Sequence, residues 1–317
     1  MNIVTGWIPP SERTSQQEQA HATALATMPR FAIPGSKATG KETVLLYEAW
    51  YAAKVIEDVG YRFDRFHQWT GSCVGAGGGN GLFTLIAIQR LFSKNPTKAF
   101  IPWWLYNYGR SRYYMGDRNK GQGSLGSTFA KSLRDDGVIT STEKGLPPFI
   151  NAGDEGTHVQ GEEVEYDWSD GDSRLVLDYS DEGRLHPLGQ AAEVTTIEQI
   201  DDSLINGYPC TFACDRYVGN PRVKSGVLIG TFDTWGGHQV SILGRRVHDT
   251  LGVLYWMQNN WPKDVYPKNP EPNQPTCGCW IEERELRRAL GYQAEVFALG
   301  HLPWFPAQPE IAIPWIV

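Results

Sequence analysis

Gly71-Ser72-Cys73-Val74-Gly75, read together with Gly236-Gly237-His238-Gln239-Val240 and Gln258-Asn259-Asn260-Trp261, decides how this chain is understood. The three stretches set out a cysteine, a histidine and an asparagine in that order along the chain. A thiol is a useful nucleophile only as thiolate, and an imidazole beside it supplies that ionisation. The imidazole in turn needs a group to hold its ring, which an asparagine carbonyl does without adding charge. Cys73, His238 and Asn259 are therefore the candidate catalytic residues. Asn260 is one position away, and strand alternation would turn only one of the pair toward a cleft.

Working outward from Cys73, the run Val74-Gly75-Ala76-Gly77-Gly78-Gly79-Asn80-Gly81 precedes a conventional apolar stretch at 82–91. It reads as a helix with an unusual start. Each glycine costs a helix roughly 1 kcal/mol relative to alanine, so their presence implies that another backbone or a substrate packs very close. A cysteine at a helix N-terminus also meets the positive end of the dipole, which lowers its pKa.

Elsewhere the first half reads as helical. Residues 1–40 show little periodicity beyond one short helix near 15–28, residues 41–59 are partly helical, and 61–69 alternates like a strand leading into the cysteine turn. Helices are expected at 102–114 and 125–136, the second ended by Gly137. Residues 154–182 are strongly acidic and read as a solvated insertion.

The second half changes character. Thr196 and Gln199 form a candidate capping box at the start of a helix that ends near Asn206-Gly207. Strands are expected at 208–214, 239–246, 253–258 and 294–299. The last stretch, 302–317, is too rich in proline for a helix or central strand and too apolar to remain in water, so it is expected to dock.

On these residues the chain resembles the papain-like cysteine peptidases over roughly 61–299. Gly71-Ser72-Cys73 is similar to that family's nucleophile turn, Gly237-His238-Gln239-Val240 to its Gly-His-Ala-Val strand, and Asn259-Asn260-Trp261 to its Asn-Ser-Trp. Gly123-Ser124 through Leu133 to Asp136-Gly137-Val138 is similar to the passage that follows the substrate-binding glycines, and 197–209 to the helix ending in Gly-x-Pro.

The resemblance implies an α+β, two-lobed papain-like fold. A helical lobe would carry Cys73 and a β-barrel lobe would carry His238 and Asn259. It further implies that Gly123, Ser124 and Gly237 bind substrate, and that a glutamine side chain joins the Cys73 N–H in holding the oxyanion. The family's glutamine lies six residues before the cysteine. Here that place is His67, and Gln68 is five away, so Gln68 is the candidate donor, with His67 or an incomplete oxyanion hole as the alternatives. Val74 replaces the family's aromatic residue, and Thr70 its nearby structural cysteine.

Four segments are expected: 1–60, an N-terminal arm and helix; 61–150, the helical lobe; 151–300, the β-rich lobe with its acidic insertion; and 301–317, a Pro/Trp-rich docking tail. The 34 glycines, 20 prolines and 12 tryptophans favour a loop-rich mixed fold over a helical bundle. A net charge of −7 and the lack of a basic run argue against nucleic acid as partner.

No stretch reads as a signal peptide or a membrane span, so a cytoplasmic or virion-associated protein is expected. Reduced thiols are expected for all five cysteines, and their spacing does not suit zinc, so neither metal nor cofactor is called for. Three functions remain open. The first is a thiol peptidase acting on a peptide or protein substrate. The second is a structural component of an assembly such as a bacteriophage virion, with other subunits docked through the terminal arms. The third is a module that binds peptide or cell-wall fragments without cutting.

Overall fold

A computed structural model of the chain describes residues 6–31, 42–92, 98–117, 119–147, 158–186, 188, 191–262 and 264–300. Eight helices come first: α1 (Ser15–Ala26), α2 (Ala53–Val59), α3 (Cys73–Phe92), α4 (Trp104–Met115), α5 (Gly126–Asp135), α6 (His158–Trp168), α7 (Arg174–Leu177) and α8 (Ser180–Leu185). Two more, α9 (Ile197–Ile205) and α10 (Glu283–Leu290), pack on the sheet. The strands are β1 (Val44–Leu45), β2 (Ala191–Glu193), β3 (Cys210–Val218), β4 (Arg222–Lys224), β5 (Val227–Gly230), β6 (Phe232–His248), β7 (Gly252–Gln258), β8 (Gly278–Glu282) and β9 (Glu295–Leu299).

They form one nine-stranded sheet in the order β2-β9-β3-β6-β7-β8-β5-β4, with β1 added to β6. The pairing path is open, so the expected barrel is a sheet that does not close. The register sets the site. Ser241 on β6 pairs with Gln258 on β7, which brings His238 and Asn259 to the same end of two neighbouring strands.

Helix α3 packs on β6 of the sheet and against α2, α4 and α5, and its glycines mark where neighbours press in. A Cβ on Gly77 would stand 2.8 Å from the Gln239 carbonyl oxygen of β6, and one on Gly78 would stand 2.0 Å from the Phe129 ring of α5. Ser241 Oγ donates to Gly77 O at 2.5 Å, and Gln239 Nε2 donates to Val74 O at 2.9 Å, which pins the helix to the strand that carries His238. Gly77→Val should therefore cost about 2–3 kcal/mol in denaturant unfolding, because a rigid backbone has to move and no helix-propensity gain is that large. Unchanged stability would mean that α3 does not approach β6 this closely.

Most predicted elements are present. α9 begins with the capping box of Thr196 and Gln199, and Gly137, at φ 74°, follows α5. Residues 61–69 differ: they are not a strand. Their backbone is held by Asn80, whose Oδ1 accepts Phe66 N–H at 2.9 Å, and by Asn260 O, which accepts Gln68 N–H at 2.8 Å. The described part of the acidic stretch keeps most of its carboxylates in solvent, Asp167, Asp178 and Asp181 among them, but Glu165 is buried. The stretch folds into α6, α7 and the start of α8 and packs on α4, with Trp103 and Trp168 rings 5.6 Å apart and Arg112 Nε donating to Ser169 O. The expected tail 301–317 lies outside the described residues.

Among the described residues no helix is long and apolar enough to cross a membrane, and no cluster of histidine, cysteine and carboxylate side chains suits a metal ion. All five cysteines are free thiols and buried.

Candidate active site

Cys73 is the first residue of α3, at the helix's positive end, and is fully buried. His238 lies on β6 and is 3% exposed. Its Nε2 is 2.8 Å from Asn259 Oδ1, which accepts its proton, while Nδ1 is buried with no partner among the described residues. The Asn259 amide is itself fixed, since Nδ2 donates to Tyr266 Oη at 2.9 Å and that hydroxyl donates to Val218 O at 2.7 Å. Trp261 stacks on the imidazole at 4.5 Å and 20°, closing one face of the ring to water. Of the two asparagines, Asn259 meets the histidine; Asn260 turns the other way, where its Nδ2 donates to Cys73 O at 3.2 Å.

The cleft around these groups holds the chain's own N-terminal segment. Gly6 N–H and Trp7 N–H both donate to Gly237 O at 3.1 Å; Ile8 N–H donates to Ser124 O at 3.1 Å; Ser124 N–H donates to Gly6 O at 2.8 Å. Trp7 and Ser124 thereby form a parallel bridge. The segment fits because glycines line its walls. A Cβ on Gly237 would lie 2.0 Å from Trp7 O, and one on Gly6 would lie 1.8 Å from Gly71 O. Beyond it, Arg13 Nε donates to Ile8 O at 3.1 Å, and Arg13 Nη2 pairs with Glu295, whose other oxygen accepts Ser127 N–H at 2.8 Å. Residues 6–31 of the N-terminal arm lie against their own chain, with α1 packed on α4 and α5.

No hydrogen bond joins Cys73 to His238 among the described residues. Burial sets the protonation of both. It pushes the Cys73 thiol up to about 12, against hydrogen bonds from the Gln239, Gly6, Trp7 and Val74 backbone that favour thiolate. It lowers His238 to about 4, with the Asn259 hydrogen bond acting the other way. With the segment in place, both groups are neutral at pH 7.

No protein-family model matches the sequence, and no curated protein does. Solved structures do match. Xylellain, a cysteine protease from Xylella fastidiosa, is similar at a TM-score of 0.56 and 16% identity, over 93% of this chain and 95% of that one. Procathepsin B S9 from Trypanosoma congolense is similar at 0.54 and 9% identity, over 92% and 91%. Procathepsin L 3 from the larval midgut of Tenebrio molitor follows at 0.52 and 12%, over 90% and 79%. The fold is that of the papain-like cysteine proteases.

Within this papain-like fold the other candidate residues are placed unevenly. Ser124 and Gly237 line the occupied cleft, as described, and so does Gly123, where a Cβ would lie 3.2 Å from Gly6 O. Gln68 is buried, and its Nε2 donates to Thr70 O at 2.9 Å. His67 stacks on Trp69 with ring centroids 4.1 Å apart. Tyr266 and Glu165 are not singled out by the sequence and come to the site through tertiary packing, whereas Asn260 and Trp261 belong to the Asn-Asn-Trp stretch that the sequence itself marks.

Proposed function

We propose that the chain is a cysteine peptidase that hydrolyses peptide bonds in a polypeptide substrate, with Cys73 as nucleophile, His238 as base and Asn259 holding the imidazole. One observation supports this most: Asn259 engages Nε2 at 2.8 Å and leaves the buried Nδ1 of His238 without a partner among the described residues. Nδ1 is then the atom that takes the thiol proton. The thiolate attacks the scissile carbonyl carbon, and the Cys73 N–H, in the helix's first turn where amides lack a helical partner, faces the developing oxyanion. The imidazolium returns the proton to the leaving amine. Water, deprotonated by His238, then cleaves the thioester and frees the acid.

In this reading the segment at residues 6–8 holds the enzyme closed. It fills the cleft, excludes water and keeps the thiol and imidazole neutral. A second reading, a scaffold whose chemistry is lost, draws on Gln68, whose Nε2 donates to Thr70 O two residues on.

Gly6→Val separates the two, because its side chain clashes with the Gly71 backbone and expels the segment. Incubated with an unfolded polypeptide, the Gly6→Val chain is expected to generate new termini seen by mass spectrometry. Adding Cys73→Ser should abolish them, a loss of about 1,000-fold or more on the scale of removing a nucleophile. Polypeptide recovered intact from both chains would favour the scaffold.

A further inference from the structure

Glu165 is a carboxylate that the mechanism does not use, and it is only 1% exposed. It stands on α6, one turn after Gly161. A Cβ on Gly161 would meet the Trp69 indole at 2.4 Å, so the helix lies directly against the segment that leads into Cys73. Glu165 Oε1 accepts Trp69 N–H at 2.7 Å. Its Oε2 accepts Thr70 N–H, Thr70 Oγ1–H and Ser72 Oγ–H, each at 2.7 Å. The next amide, Gly71 N–H, goes to Gln122 Oε1 at 3.0 Å, and Gln122 Nε2 donates to Tyr166 Oη at 3.0 Å, again on α6.

These donors are consecutive in sequence and end one residue before the nucleophile. Ordinary turns satisfy their amides with backbone or water; this one converges three residues on a single buried carboxylate. We infer that Glu165 is a positioning residue for the reaction: it clamps residues 69–72 so that the Cys73 sulfur and backbone N–H keep their aim into the cleft. The inference rests on the peptidase reading above for its consequence, but not for the clamp itself. Burial raises the carboxyl to about 7, while the bonds from Thr70, Ser72 and Trp69 favour its charged form. Two of the four donors are hydroxyls that can turn to accept, so the clamp can hold in either protonation state.

Glu165→Gln tests it in the full chain. Glutamine can offer one oxygen to Thr70 and Ser72, but its NH2 then confronts the Trp69 N–H. Hydrogen exchange at the Trp69 and Thr70 amides is expected to quicken about 10-fold or more, with the amides of α3 unchanged. In the Gly6→Val background, kcat per Cys73 titrated by an irreversible alkylating agent should fall about 10- to 100-fold, with KM within about twofold, as for a lost transition-state donor.

Equal acceleration of exchange in 69–72 and in α3, or an unchanged kcat per titrated site, would reduce Glu165 to a general stabiliser and overturn the proposal. If neither chain cleaves peptide while exchange quickens only at 69–72, the peptidase reading fails and the clamp stands. Should Glu165→Gln not fold, Thr70→Val removes one donor and is read in the same way.

Discussion

Gly6→Val is expected to raise the rate at which Cys73 is alkylated at pH 7 by about 1,000-fold or more. The magnitude follows from the thiol's two environments. Closed, it is buried beneath residues 6–8 and held at about 12, so almost none is thiolate. Open, it would titrate no higher than an ordinary thiol, near 8.5, and a gap of about three and a half pH units is more than three orders of magnitude in thiolate. Valine at position 6 forces opening, because the atom it meets at 1.8 Å is the Gly71 carbonyl oxygen and not a movable side chain. Cys210, Cys214, Cys277 and Cys279 are all buried and serve as internal controls. Labelling that rises at Cys73 alone reports release of the segment. A rise at all five reports unfolding, and no rise at Cys73 would mean that the segment does not guard it.

The second large effect is on stability against pH. His238 is lowered to about 4 in the fold, from an ordinary 6.5, by burial against the Asn259 hydrogen bond. Above pH 6.5 the ring is neutral whether folded or not, and its full contribution to stability is present. As pH falls below 6.5 the unfolded chain takes up a proton and the folded one does not until about 4, so stability is lost across that window. With the ring only 3% exposed there is little solvent screening to discount, and the loss amounts to about 3 kcal/mol.

Glu165 opposes it. A carboxyl raised to about 7 contributes stability below 4.5 that is lost as pH rises toward 7. The difference between the parent and His238→Ala, in denaturant unfolding from pH 4 to pH 7.5, cancels the Glu165 slope and isolates the histidine. A parent-minus-variant difference that is flat over that range would show that the imidazole is not sealed from water.

How much of this was legible in the chain depends on whether the signal is local. The Cys73 helix, the Thr196 cap and the strands around 239–246 and 253–258 announce themselves by periodicity, capping residues and turns, and the structure has them. The order of Cys73, His238 and Asn259 pointed to a fold with those residues on different elements, and the register of β6 with β7 puts the latter two together.

What was not legible is tertiary. Residues 61–69 alternate like a strand, yet their amides go to an asparagine side chain and a loop carbonyl, which no periodicity encodes. Glu165 sits in an acidic run that reads as a wet surface, and only its helix's approach to Trp69 takes it inside. Gly6-Trp7 has no pattern of its own; it is read only against the glycine walls that receive it.

The most direct test of the account is the pH profile of Cys73 alkylation in the Gly6→Val chain, beside the same chain carrying His238→Ala. The account requires a thiolate formed by the imidazole. Labelling should therefore remain fast well below pH 7 in the first chain and fall back to an ordinary thiol curve, with its midpoint near 8.5, in the second. Two superimposed curves would contradict it, leaving a papain-like fold in which Cys73 and His238 are neighbours without a shared proton.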